Sequence, residues 1–161
     1  MIGRIIFFIF LILQPFIGNA ALGNLNTKNR TWYTKLKQSP LTPPPIVFPI
    51  VWTILYILLG LSAVFFLMGR TLLPNLVSYI APYEAQMLLN FAWSVVFFGL
   101  QKPKISLVII FAMIALTAYL LWITWCKDRL AFGTLFPYFL WILFAMYLNF
   151  YIIIKNKELS S

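Results

Sequence analysis

Histidine is absent from this chain, cysteine occurs once, and only three side chains are acidic. The lone Cys126 excludes an internal disulfide, and without histidine a Cys/His zinc site has no ligand set. The acids are Glu84, Asp128 and Glu158, and each falls near an apolar segment's end or in the tail. They supply no acid–base pair and no nucleophilic triad. The residue set therefore implies no metal and no required cofactor. Charge of either sign is scarce, at 9% of residues against 63% hydrophobic, and the mean hydropathy is +0.93. A water-soluble domain needs more polar surface than that.

What charge there is leans basic, with a formal net of +9. A basic balance often marks nucleic-acid binding. Here the Lys and Arg residues are confined to short connections between apolar runs, so they read as topology signals and headgroup anchors, with no nucleic acid as partner. The lipid membrane is the partner that composition implies.

A spanning helix needs roughly 20 mostly apolar residues. Five stretches qualify: 2–22, 46–68, 82–100, 104–125 and 133–154. They are apolar all round, which excludes the alternating strands of a barrel. The expected fold is an all-α bundle of five transmembrane helices forming a single domain over 1–161. A polar connection (23–45), a loop at 69–81, a tight turn at 101–103 and a loop at 126–132 join them. The first segment has a second reading. Arg4, the run 5–17 and Gly18-Asn19-Ala20 also fit a cleaved signal peptide.

Charge counting gives an orientation. The N-terminus and the second and fourth loops carry Arg4, Arg70, Lys127 and Arg129. The other side carries Lys28, Arg30, Lys35, Lys37, Lys102, Lys104, Lys155 and Lys157. The positive-inside rule then places the first loop and C-terminus in the cytoplasm and the N-terminus outside.

Several polar and aromatic residues recur at helical spacing. In the third span these are Gln86, Asn90, Trp93 and Phe97; in the second, Phe48, Trp52 and Tyr56; in the fifth, Tyr138, Trp141, Ala145 and Asn149. Amides cannot face lipid cheaply, so these stripes turn into the bundle. Two readings stay open: plain helix packing, with Asn joining helices by hydrogen bonds, and an aromatic-walled pocket for a flat apolar ligand. Trp32 and Trp125 read as interfacial anchors. In the first loop, Thr31-Trp32-Tyr33 precedes the proline-rich 39–45. Proline stiffens and extends that stretch, which fits either a lid or a connector.

These residues resemble the translocator protein family, also called tryptophan-rich sensory proteins or peripheral benzodiazepine receptors. The matching pieces are Trp32-Tyr33 with the proline-rich stretch, Val47-Phe48-Pro49-Ile50-Val51-Trp52 with Leu55-Tyr56, Gln86 with Leu89-Asn90-Phe91-Ala92-Trp93 and Phe97-Phe98-Gly99, and Pro137-Tyr138 with Trp141, Ala145 and Leu148-Asn149. Four pieces in order across five spans make the resemblance specific. It implies a five-helix bundle, often a homodimer, and retention of the first helix. It also implies porphyrins such as protoporphyrin IX, sterols and synthetic drugs as ligands, bound between the helices under the first loop. The implied wall is Tyr33, Trp52, Asn90, Trp93, Trp141 and Ala145, to which the stripes add Tyr56 and Phe97. Leu148, Tyr151 and Lys155 satisfy a permissive sterol-recognition pattern. Leu41 stands where the family often has Trp, and the match before residue 30 is poor.

The resemblance and the stripes together imply a binding protein for flat hydrophobic molecules. Light-dependent porphyrin breakdown at Trp52 and Trp141, by electron exchange or a reactive oxygen species, is a second hypothesis. Ion-coupled transport is a third, although no ionisable group stands out at mid-span. Ala112, Ala115 and Ala118 form a weak candidate dimer face. A bacterial envelope membrane and a mitochondrial outer membrane both suit the chain.

Overall fold

The computed structural model describes residues 2–28, 30–68 and 76–157, with the side chains of 2, 18–28, 30 and 76 left aside. Arg70, Glu158 and the side chains of Lys28 and Arg30 thus lie outside the described residues, as does 69–75 of the expected second loop. Every regular element described is helical. We label the helices α1 (Ile2–Lys28), α2 (Arg30–Lys35), α3 (Val47–Leu67), α4 (Ala81–Ser94), α5 (Pro103–Lys127) and α6 (Arg129–Lys155). Wider π-helical turns, Leu76–Ile80 and Val95–Gly99, extend α4 at both ends, so its helical path runs from 76 to 99. Among the described residues α3, α5 and α6 are each long and apolar enough to cross a membrane, and α1 has a shorter apolar stretch, Gly3–Ile17. With α4 they make the five-span membrane bundle. The small α2 lies outside that set.

The bundle closes as a ring in the order α1–α3–α6–α5–α4 and back to α1. Among the described residues no tight seam joins α4 to α3 or to α6, and a cavity occupies that gap. Large apolar side chains cover the outside, Ile54, Val108, Trp122, Leu130 and Leu140 among them. Lipid is as apolar as these residues, so nothing drives them inward. Ala112, Ala115 and Ala118 also face out on α5.

Specific chemistry sets the helix contacts. Pro15 lies inside α1 and has no N–H for the carbonyl of Leu11, four residues back. The Tyr83 hydroxyl on α4 donates to that carbonyl at 3.0 Å. On the other side of α1, a Cβ added to Gly60 would sit 2.7 Å from Ile12 Cα, so only glycine lets α1 and α3 approach this closely. The Ser62 hydroxyl donates to the Ala131 carbonyl at 2.8 Å, tying α3 to α6. Arg4 Nη2 donates to the Leu67 carbonyl, tying the start of α1 to the end of α3.

Two connections differ from expectation. The loop expected at 126–132 shrinks to Asp128. Its N–H donates to the Thr124 carbonyl and closes α5. Its Oδ1 accepts from the Ala131 N–H and opens α6. One residue with a good capping side chain replaces a loop. The long connection expected at 23–45 holds a short helix, α2, which carries Thr31, Trp32 and Tyr33. The turn before α5 is tight as expected: Gln101 takes a positive φ of 56°, and Pro103 suits the first helical position. Trp125 stands exposed with the Arg129 guanidinium 3.4 Å above its ring. Trp32 instead packs edge-on against Phe97 at 5.7 Å.

Candidate functional site

A cavity of about 690 Å³ opens between α3, α4 and α6, beneath α2 and the proline-rich stretch. That volume is typical of small-molecule sites. The structure brings Tyr33, Trp52, Tyr56, Asn90, Trp93, Phe97, Trp141 and Ala145 together on its wall. No charged side chain lines it among the described residues. Trp52 and Trp141 meet edge to face at 6.4 Å, and Phe48 meets Trp141 at 6.1 Å. Trp93 and Phe97 stack at 5.2 Å on the opposite wall, with Tyr33 edge-on to Phe97 at 6.0 Å. The result is a slot with aromatic faces and edges on both sides, suited to flat apolar molecules.

The floor is a hydrogen-bonded tie across the gap. Tyr56 Oη donates to Asn90 Oδ1 at 3.0 Å. Asn90 Nδ2 donates to Tyr138 Oη at 3.1 Å, and the Gln86 amide donates to the same oxygen. Asn90 thus spends both ends of its amide on helix joining, with one N–H left over. The same stripes thus both join the helices and wall the cavity.

The lid is fastened to α6. Lys37 N donates to Asn156 Oδ1 at 2.8 Å, and Asn156 Nδ2 returns a bond to the Lys37 carbonyl at 3.1 Å. Ser39 Oγ and Tyr147 Oη are hydrogen-bonded at 2.9 Å. Leu36 is buried against Phe97 and Ile152. Burial also pushes the Tyr33 phenol up from its ordinary pKa, so it stays a neutral hydroxyl at neutral pH. Leu41, at the position where family members often carry Trp, is 64% exposed.

Sequence reasoning left some wall residues out of the site. Gln38, Phe144, Asn149 and Ile152 all line the cavity. Phe144 and Asn149 lie three and eight residues beyond Trp141, on the same helical face, so spacing carried their signal. Asn149 Nδ2 donates to Ser106 Oγ at 2.8 Å. Its Oδ1 and the Trp93 Nε1 are covered and have no hydrogen-bond partner among the described residues. Of the sterol pattern, Leu148 lines the cavity, while Tyr151 and Lys155 do not. Lys155 is exposed, its Nζ 5.8 Å from the Tyr151 ring.

A sequence model of the TspO/MBR family matches residues 10–154. The chain belongs to that family. It is 37% identical over 139 residues to the tryptophan-rich protein TspO of Chlorobaculum tepidum, covering 80% of this chain and 82% of that protein. It is 34% identical over 143 residues to the tryptophan-rich sensory protein of Cereibacter sphaeroides, covering 88% and 87%. Similarity reaches the translocator protein of Ovis aries, at 29% identity over 126 residues, covering 74% and 71%. The TspO/MBR match begins at residue 10, so it takes in most of the apolar stretch of α1. It ends at 154, one residue before α6 does.

Proposed function

We propose that this membrane protein binds porphyrins such as protoporphyrin IX, sterols and other flat hydrophobic molecules in the cavity under the first loop. The observation that carries the reading is the cavity itself: uncharged, walled by aromatic rings on three helices, and covered by a segment fastened to one of them. A tetrapyrrole ring would lie between Trp52–Trp141 and Trp93–Phe97. Its carboxylates would reach the mouth, where Lys35 and Lys37 are exposed. That mouth faces the cytoplasm in the orientation set by the positive-inside rule. A second copy of the chain would dock on the outer alanine face of α5.

The test is a titration of the purified protein with protoporphyrin IX, followed by porphyrin absorbance and by quenching of Trp fluorescence. Saturable binding is expected. Ala145→Phe fills the slot without touching the floor, and should weaken binding more than tenfold. Non-saturable partitioning, or affinity unchanged from wild type in both Ala145→Phe and Trp52→Ala/Trp141→Ala, refutes the reading. Contact between the Trp52 and Trp141 rings also favours a second reading, light-driven breakdown of the bound porphyrin. Under illumination the complex would then lose porphyrin absorbance faster than porphyrin in detergent alone.

A further inference from the structure

Glu84 was expected beside the end of a span, yet the helical path of α4 begins at Leu76 and carries it well inside. Its depth follows from the helix contacts. Ile12 of α1 meets Gly60 of α3. Gln14 lies two residues further along antiparallel α1, about 3 Å at 1.5 Å per residue. That puts it level with about residue 58, beside the midpoint of α3 (Val47–Leu67). Gln14 Nε2 donates to Glu84 Oε1 at 3.2 Å. The carboxyl therefore lies near the centre of the bilayer, on the α1–α4 seam.

No opposite charge lies within the spans to balance it. Stretches 5–27, 47–67, 105–126 and 130–154 contain no Asp, Glu, Lys, Arg or His, and 76–99 contains Glu84 alone. Arg4 stands ten residues before Gln14, about 15 Å along the axis, with Nη2 on the Leu67 carbonyl. The other titratable groups around the seam are phenols. Tyr79 lies in the π-helical turn before α4, Tyr83 on α4 itself, Tyr138 on α6 and the exposed Tyr119 on α5. Tyr83 is committed to the Leu11 carbonyl. An ionised carboxylate held by one amide N–H in hydrocarbon is expensive. A neutral acid fits the geometry: its carbonyl oxygen accepts from Gln14, and its O–H sits on the other oxygen.

We propose that Glu84 is a proton-binding site at the bilayer centre, a neutral carboxylic acid that takes up and releases its proton on the α1–α4 seam. The site shares no residue with the cavity wall and does not depend on what the cavity binds. Adjacent residues of α4 grip α1 just before its weak point at Pro15, Tyr83 at the Leu11 carbonyl and Glu84 at Gln14. Losing the proton leaves a bare charge there. Either water must enter the seam or α1 must shift at Pro15.

Infrared difference spectra of the full chain in lipid bilayers, wild type minus Glu84→Gln, test this. The expected result at pH 7 is a carboxylic-acid C=O band, turning into carboxylate bands only at pH well above the range of water-exposed carboxyls, about 4. Carboxylate bands at pH 7 overturn the proposal. A second measurement needs no variant: labelling with a hydrophobic carbodiimide from the lipid phase. The acid's proton moves to a carbodiimide nitrogen while its oxygen bonds to the central carbon. An oxygen-to-nitrogen acyl shift then gives a stable N-acylurea, with no group lost and no electrons exchanged. One adduct on Glu84 at pH 7, its rate falling tenfold per pH unit once the site ionises, supports the proposal. Absence of that adduct in bilayers, when the SDS-unfolded chain labels at Glu84, overturns it.

Discussion

Replacing Tyr138 with phenylalanine removes one oxygen and leaves the ring in place. That oxygen accepts from Asn90 Nδ2 at 3.1 Å and from the Gln86 amide. Tyr138 and Gln86 are fully buried, and Asn90 is nearly so. Hydrogen bonds between helices in bilayers average about 0.6 kcal/mol and reach about 1.7, so two at the average give about 1.2 kcal/mol. The loss should be larger because the variant orphans two buried amide donors. In protein interiors such orphans cost about 1–3 kcal/mol each. We expect Tyr138→Phe to lower the unfolding free energy by about 2–3 kcal/mol. Fluorescence-detected unfolding in rising SDS mole fraction measures it. Adding Gln86→Leu removes one orphan, so the double variant should lose at least about 0.5 kcal/mol less than the sum of the singles. Unchanged stability in Tyr138→Phe, or strictly additive losses, would refute the tie across the gap.

Two more outcomes follow from contacts elsewhere. Gly60→Ala places a methyl 2.7 Å from the Ile12 backbone. The helices must part to admit it, so the same SDS titration should show a loss of about 1–3 kcal/mol, with Gly60→Val worse. Asn156→Ala cuts both bonds to the Lys37 backbone. Porphyrin release, followed by stopped-flow fluorescence, should accelerate roughly five- to thirtyfold, the equivalent of about 1–2 kcal/mol, with global stability barely moved.

The spans and the inward stripes were legible because both are periodic. Gln86, Asn90 and Trp93 recur at helical spacing, and an amide in lipid has one sensible direction. The depth of Glu84 was not legible. It depends on five further residues before Ala81 that continue the helix through π turns, and Pro82 reads locally as a start signal. The loop at 126–132 misled for a similar reason. A cluster of polar residues looks like a loop, yet Asp128 alone closes one helix and caps the next. The lid's fastening was invisible because Lys37 and Asn156 lie far apart in sequence, and the Asn156 amide meets backbone atoms of Lys37 that no side-chain pattern reports. Leu148, Tyr151 and Lys155 fit a motif on paper, but the helix turns only Leu148 into the cavity.

The one-residue link at Asp128 has a mechanical consequence. It pins α5 and α6 together at one end, so once the Asn149–Ser106 bond at the other end opens, α6 moves against α5 by pivoting there. Asn149 lies 20 residues beyond Arg129, about 30 Å up the helix at 1.5 Å per residue. A tilt of about 5° around that pivot would swing the Asn149 level by about 2.6 Å over that length, while the base hardly stirs. The Asn149 Nδ2–Ser106 Oγ bond ties α6 back to the start of α5 at that level, so it latches the far end of the lever, and the lid's fastenings at Tyr147 and Asn156 lie at the latched end.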